Sequence, residues 1–294
     1  MTPPEPPVAP PSAGSVLVGF DGSPGAEAAL RWAFHEASSR GVALSVLQSW
    51  HEPLLSEHTW RERWDDPAAE EREAATRLEQ VVAAHAVDHP EVLTATALVP
   101  EKPEAALVAA SSEHDLVVLG SRGSGGFAAL TLGSVAEHVA AAAPASVAVV
   151  PALAAEGTGI TVGVDGSIGS RRSLLWAAEE SRIRSSELTA VLAWTPRLPV
   201  AARGAQAFGA AATDEDARMA LHRTVVEQLG PAVAATIGLS AVCGPAARAL
   251  LDAAVGSELL VIGAQLVTGR HPDRLGSVAR QVLRHAPCPV VIAR

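Results

Sequence analysis

The strongest constraint on the fold is that the chain repeats itself. The segment VLVGFDGS at residues 16–23 returns as ITVGVDGS at residues 160–167, so that Asp21 returns as Asp165 with an offset of 144 (165 − 21). Further along the chain, Gly120 returns as Gly263 with an offset of 143 (263 − 120), and one deletion explains the change. A repeat of this length indicates a duplicated domain rather than a short solenoid unit.

The repeat divides the chain into two domains. We expect the first domain at residues 15–151 and the second at residues 160–294, with a turn-rich linker at residues 152–159. Residues 1–14 contain six prolines and little that could enter a core, so we expect a disordered tail there. The segments at residues 51–64 and 195–213 lack clear periodicity, and we expect loops or lids there.

Within each half, apolar runs alternate with helix-like stretches, a pattern typical of an α/β fold with a parallel sheet. Each domain should contain five strands, in the order 3-2-1-4-5, and about four helices. The first helix should be capped by Ser23, with Pro24 at its first position. The long helix of the second half should be capped by Asp214 or Asp216.

A glycine-rich loop follows the fourth strand of the first half. Gly120 and Gly123 are followed, after nine residues, by Gly133 and Ser134, which open the next helix. Such a turn offers backbone N–H groups and a positive helix end to a phosphate chain. In an open parallel sheet, ligands bind beyond the carboxyl ends of the strands, where the strand order reverses. Asp21 ends the first strand and should accept a hydrogen bond there from a sugar hydroxyl or a base amino group.

Composition excludes several classes of function. The chain has 294 residues and a net charge of −10, which argues against a nucleic-acid partner because phosphate backbones require a basic surface. We find no apolar run near the ~18–20 residues of a membrane span. Residues 1–11 lack the basic and apolar regions of a secretory signal, and Cys243 and Cys288 form no disulfide framework. We therefore expect a cytoplasmic protein with no membrane and no nucleic-acid partner.

The spacing Gly120-x-x-Gly123-x9-Gly133-Ser134, with an aspartate ending the first strand, resembles the ATP-binding signature of the universal stress protein family. Nearly the whole chain, residues 15–294, is similar to a tandem member with two such domains. The resemblance implies that each domain is Rossmann-like, of the adenine nucleotide alpha hydrolase type.

The resemblance also implies a ligand and a role. The ligand would be ATP, alone or with Mg²⁺, and the role a nucleotide-dependent binding protein of the stress response. The residues carried over by position are Asp21 at the nucleoside end and, around the phosphates, Gly120, Arg122, Gly123, Gly133, Ser134 and Val135. The two domains should pack as the family's homodimer does, through last strands at residues 146–150 and 290–293. Whether two tandem chains form a further homodimer stays open.

The second half departs from the signature. Leu266 stands where the second glycine should be, although four site residues recur: Asp165, Gly263, Gly276 and Ser277. A branched side chain at this point would crowd the phosphate path and disfavour a positive φ. Arg270 and Arg274 could still attract an anion. We therefore expect a second site that is weak or empty.

Two alternatives to ATP binding stay open, namely slow ATP hydrolysis and a non-nucleotide interaction module of the same fold. The loop lacks the lysine of a GxxxxGKS/T motif, and we find no clear Mg²⁺ carboxylate or general base, so we expect no catalytic residues. Glu101 stands where the family usually has a glycine, which favours the interaction module. We expect no metal site, because the ten histidines show no compact ligand spacing.

Three further features predict ordinary structural roles. Trp32 and Trp176 recur at the repeat offset and should be packing residues. Cys288 lies between two prolines next to a strand and should be a buried, inert thiol. Arg280 and Arg284 should form a helix face whose charge is favourable near the helix C-terminus.

Overall fold

The computed structural model of the chain describes residues 14–50, 67–123, 132–154, 157–196, 210–211, 213–264 and 275–294. The expected disordered tail lies outside this part of the chain except for its last residue, Gly14. The expected loop at residues 51–64 and most of the one at residues 195–213 also lie outside it.

The first domain has the expected five strands and four α-helices among its described residues. The strands are β1 (Val16–Gly19), β2 (Leu44–Ser49), β3 (Thr94–Val99), β4 (Leu116–Gly120) and β5 (Ser146–Val150). The helices are α1 (Pro24–Arg40), α2 (Pro67–Ala86), α3 (Pro103–Ala110) and α4 (Ser134–Ala142), with a short 3-10 helix at Ser111–Glu113.

The second domain repeats this order and adds one short strand, β8. Its strands are β6 (Ile160–Gly163), β7 (Leu188–Pro196), β8 (Ala210–Ala211), β9 (Gly238–Cys243), β10 (Leu259–Gly263) and β11 (Val290–Ala293). Its helices are α5 (Ile168–Arg184), α6 (Asp214–Ala234), α7 (Ala246–Ala253) and α8 (Ser277–His285). The two residues of β8 pair with the end of β7.

One sheet runs through both domains. Its order is β3-β2-β1-β4-β5 in the first domain, followed by β11-β10-β6-β7-β9 in the second, so each half has the predicted order 3-2-1-4-5. Neighbouring strands within each half run parallel. The halves join where β5 and β11 pair antiparallel, with Ala148 opposite Val291. The expected pairing of the last strands is therefore confirmed.

Helices cover both faces of the sheet, which explains why its central strands are apolar on both sides. The buried core on one face is formed with α1, α2, α5 and α6, and the core on the other face with α3, α4, α7 and α8. Side chains alternate between the two cores along each strand, as Leu17 and Val18 do in β1. In the described residues, no helix combines the length and the apolarity that crossing a membrane would take.

The helix caps were predicted correctly in one domain and wrongly in the other. Ser23 Oγ accepts a hydrogen bond from the Ala26 N–H at 3.1 Å, which confirms the cap of α1. The cap of α6 is Thr213, whose Oγ1 accepts from the Asp216 N–H at 3.1 Å. Asp214 cannot be the cap because it is already helical, and its carboxylate accepts a hydrogen bond from the Trp194 indole at 2.9 Å.

Candidate nucleotide site

The first side of the candidate site is the turn between β1 and α1. Asp21 Oδ1 accepts a hydrogen bond from the Ser23 N–H at 3.0 Å, which closes a tight turn at the carboxyl end of β1. Gly22 at the centre of this turn has a φ of 74°, a conformation that favours glycine. The exposed carboxylate of Asp21 is thereby held at the end of the strand.

The second side is the turn that follows β4. Ser23 Oγ donates a hydrogen bond to the Arg122 carbonyl oxygen at 3.4 Å, which connects the two turns. Gly123 lies directly against Asp21, since a Cβ at position 123 would be 2.5 Å from Asp21 Oδ2. The structure thus brings Asp21, Arg122 and Gly123 together, and a side chain at position 123 would have to displace the carboxylate.

Gly120 is required by packing inside the chain. A Cβ at position 120 would lie 2.5 Å from the carbonyl carbon of Gly25, in the first turn of α1. A Cβ at Gly25 would in turn lie 2.4 Å from the Arg122 carbonyl oxygen. The two glycines therefore allow the start of α1 to pack on the turn after β4, and Gly120 contributes to the site by positioning that turn.

The third side is the N-terminus of α4. The Gly133 N–H donates to the Ser121 carbonyl oxygen at 2.8 Å, so the helix begins beside the glycine-rich turn. Gly133 is the N-cap and has no side chain to accept from the first-turn N–H groups. Ser134 is exposed at this end, and Val135 is half-buried. A helix start of this kind presents N–H groups and a positive dipole end, which suits an anion.

The second domain reproduces the first two sides in part. Asp165 Oδ1 accepts from the Ser167 N–H at 2.9 Å, as Asp21 does from Ser23. A Cβ at Gly263 would lie 2.2 Å from the carbonyl carbon of Gly169 at the start of α5. The helix-packing role of the first loop glycine is therefore common to both domains.

The third side also recurs, because Gly276 is the N-cap of α8 and Ser277 is its first residue. The residues that distinguish the second loop, Leu266, Arg270 and Arg274, lie outside the described residues. The two domains thus share the scaffold of the site over the part that the structure describes.

Glu101 lies just beyond the end of β3 with its side chain exposed. Its carbonyl oxygen accepts a hydrogen bond from the hydroxyl of Ser49 at the end of β2. Within the described ranges, no group of three or more histidine, cysteine, aspartate or glutamate side chains is arranged to hold a metal ion.

A buried cluster of four charged residues, which we call the charged quartet, joins α1 to α5: Glu36, Arg40, Glu180 and Arg184. Arg40 contacts Glu36 at 2.6 Å and also contacts Glu180, and Arg184 contacts both glutamates. Both glutamate side chains are 0 % exposed. Burial and then the neighbouring Glu36 carboxylate raise the pKa of Glu180 above its ordinary value.

The charged quartet was not predicted from the sequence, although the sequence contains a signal for it. Both glutamates lie on the buried faces of their helices, and all four residues recur at the repeat offset of 144 (180 − 36). The repeated tryptophans complete the cluster across the domains. Arg40 lies over the ring of Trp176 at 5.1 Å, and Arg184 lies over the ring of Trp32 at 5.4 Å.

A second contact between the domains gives the expected helix face of Arg280 and Arg284 a partner, and Arg284 lies in the last turn of α8 as expected. Arg280 Nε donates to Glu137 Oε1 at 2.7 Å, and Arg284 lies 3.6 Å from Glu137 Oε2. These arginines of α8 therefore pair with a carboxylate of α4 in the other domain. The side chains of Arg280 and Arg284 are 37 % and 45 % exposed.

Comparison with known proteins gives a consistent picture over nearly the whole chain. The universal stress protein family matches residues 13–151 and 158–294. Universal stress protein Rv2005c of Mycobacterium tuberculosis is 30 % identical over 292 residues, covering 95 % of this chain and 96 % of that protein. Universal stress protein Rv2623 of the same organism is 28 % identical over 307 residues, covering 95 % of this chain and 96 % of that protein.

Solved structures support the same fold. The crystal structure of a universal stress protein from Archaeoglobus fulgidus superposes with a TM-score of 0.69 at 19 % identity, covering 96 % of this chain and 99 % of that one. Together with the two family matches, one in each half, these similarities identify the chain: it belongs to the universal stress protein family and carries two copies of the family's domain.

Proposed function

We propose that the first domain binds ATP and that the chain is a nucleotide-dependent binding protein of the stress response, acting in the cytoplasm. One observation supports this most. Asp21, the turn at residues 120–123 and the N-terminus of α4 meet at the carboxyl ends of β1 and β4. This is the point where the strand order of an open parallel sheet reverses and where such sheets bind ligands.

Each side of the site takes a different part of the nucleotide. The carboxylate of Asp21 accepts a hydrogen bond from a ribose hydroxyl or from the adenine amino group. The backbone N–H groups of Gly123, Ser134 and Val135 face the phosphates, and Arg122 adds a positive charge. Gly120 and Gly133 hold the turn and the helix start in place. Mg²⁺ usually keeps several of its water ligands and binds through substrate phosphates. Any Mg²⁺ would therefore enter the site already bound to the phosphates of ATP.

The second domain should bind ATP weakly or not at all. Leu266 is equivalent to Gly123 in the repeat. At Gly123 even a Cβ would come within 2.5 Å of the Asp21 carboxylate, so a leucine in the same backbone conformation would have to push the Asp165 carboxylate aside. Its branched side chain would also occupy space beside the path of the phosphates.

We propose binding without appreciable turnover. Phosphoryl transfer requires charge stabilisation beside the transferred group and a residue that orients the nucleophile. The loop has no lysine of the GxxxxGKS/T type, and Asp21, the carboxylate assigned to the site, is proposed to lie at the nucleoside end rather than beside the transferred phosphate.

Titration of the full chain with ATP in a calorimeter tests the assignment. A hydrogen bond to a charged group contributes roughly 1.5–3 kcal/mol, so Asp21→Asn should weaken binding by about tenfold or more. Asp165→Asn makes the same chemical change at the equivalent position and should leave the affinity unchanged. Equal losses in both variants would contradict a site confined to the first domain. No binding by the unaltered chain would favour the interaction-module alternative.

A further inference from the structure

The two helices that open at the candidate sites have almost identical first turns and then differ in charge. Helix α4 begins Gly-Ser-Val-Ala at residues 133–136 and continues with Glu137, and α8 begins with the same four residues at 276–279 and continues with Arg280. One turn later α4 has Ala141 and α8 has Arg284. The same position of the repeat is therefore acidic in the first domain and basic in the second.

These equivalent positions face each other in the structure. Glu137 pairs with Arg280 at 2.7 Å and approaches Arg284 at 3.6 Å, beside the antiparallel junction of β5 and β11. A contact between equivalent residues means that they lie close to the pseudo-twofold axis that relates the two domains. If two copies of the same domain paired in this way, each residue would face itself. Two first domains would oppose Glu137 to Glu137, and two second domains would oppose four arginines.

The charged quartet carries no such preference. Glu36 and Arg40 of the first domain are matched in type by Glu180 and Arg184 of the second. Their tryptophan partners, Trp32 and Trp176, are also identical in type. The same network would therefore form between like domains as between unlike domains. Discrimination between partners has to come from positions at which the repeat has diverged.

We propose that Glu137, Arg280 and Arg284 select the pairing partner, so that a first domain pairs with a second domain and pairing of like domains is disfavoured. The quartet and the strand junction hold any pair together, whereas this contact decides which pair forms. In the unlike pair Glu137 attracts Arg280 and Arg284, whereas in either like pair groups of the same charge repel each other. This difference produces specificity even though a single exposed ion pair adds little stability.

Charge reversal in the full chain reproduces the electrostatics of like pairing. Glu137→Arg makes both sides of the contact basic, and Arg280→Glu with Arg284→Glu makes both sides acidic. Each should raise the equilibrium constant for unfolding in urea by about tenfold at low ionic strength. The combination of all three substitutions restores opposite charges across the contact, with the signs exchanged. Its equilibrium constant for unfolding should return to within about twofold of that of the unaltered chain. These differences should shrink at ~1 M salt, where the Debye length is about 3 Å.

Two further variants keep the test decisive. Asp252→Arg makes the same change of charge in an exposed pair with Arg248 within α7, and the Arg280→Glu, Arg284→Glu pair should not rescue it. If Glu137→Arg does not fold, Glu137→Gln should still show an intermediate loss. The proposal is overturned if the combined variant is no more stable than the single reversals, or if the reversals have no effect at low salt.

Discussion

Replacing Arg184 by methionine should destabilise the chain far more than the loss of an exposed ion pair. The side chains of Glu36 and Glu180 are 0 % exposed and share the guanidinium groups of Arg40 and Arg184. Without Arg184, two buried carboxylates retain one cation. Breaking a buried ion pair by removing one partner typically costs about 3–5 kcal/mol of the free energy of unfolding. Loss of the contact with the Trp32 ring adds to this, by roughly 0.5–2 kcal/mol.

The pH dependence of this variant has a definite sign. Burial and then the Glu36 carboxylate raise the pKa of Glu180 above 4.5, while Arg184 and Arg40 lower it. A carboxyl whose pKa is higher in the folded state binds its proton more tightly there, so its protonation stabilises the fold as pH falls. Loss of Arg184 raises this pKa further. The difference in the free energy of unfolding between the variant and the unaltered chain should therefore be largest at neutral and higher pH and should narrow as the pH falls.

Urea unfolding followed by tryptophan fluorescence measures this difference directly, with Trp32 and Trp176 at the quartet. Arg182→Met is the matched control, because Arg182 pairs with Glu179 at 2.6 Å on the same helix with side chains 71 % and 53 % exposed. The control should leave the free energy of unfolding nearly unchanged, because exposed ion pairs contribute little to stability. If Arg184→Met lowers the free energy of unfolding by less than about 1 kcal/mol at pH 7, Arg184 does not stabilise the buried glutamates as described. A difference between the variant and the unaltered chain that does not change with pH would contradict it as well.

Further predictions concern packing, thiol chemistry and a helix cap. Gly120→Ala should lower the free energy of unfolding by about 1–3 kcal/mol, because its Cβ would meet the Gly25 backbone at 2.5 Å, and an unchanged thermal midpoint would contradict this. Cys288 is buried, which raises the pKa of its thiol to about 12, whereas Cys243 is exposed. A thiol reagent at about pH 8 should therefore label the folded chain once, and mass spectrometry would expose a second label as an error in this account. Thr213→Ala should cost about 1 kcal/mol in urea unfolding through loss of the α6 cap, and no loss would show that Thr213 is not the cap.

The order of the sheet was predictable because it depends on local signals repeated twice. Each strand is a short apolar run, and helices connect the parallel strands by crossovers, which are nearly always right-handed. The pairing of β5 with β11 followed from the internal repeat and from the way the family's domains pair as homodimers. The cap of α6 was not predictable in this way, since Thr213, Asp214 and Asp216 are all good N-cap residues. The structure decides among them, because Thr213 has an extended backbone and accepts the capping hydrogen bond, whereas Asp214 and Asp216 are already helical.

The structure brings the described candidate residues of the first domain together, and their binding of a nucleotide stays a prediction. Sequence spacing alone could not show what each loop glycine contacts. In the structure Gly120 faces Gly25 of α1, whereas Gly123 faces the Asp21 carboxylate. The contacts between the domains were missed for a related reason. They depend on the pseudo-twofold axis, which brings residues more than 140 positions apart into contact, as with Glu137 and Arg280.

The most direct test of the central claim is the amount of nucleotide that copurifies with the chain. Protein purified without added nucleotide would be denatured, and the released nucleotide quantified by chromatography, alongside the variant Gly123→Leu, which places in the first loop the residue found at position 266. We expect up to about one ATP per chain, as for a single tight site, and its loss in the variant. Two ATP per chain, or retention of ATP by Gly123→Leu, would contradict a site in the first domain that depends on Gly123.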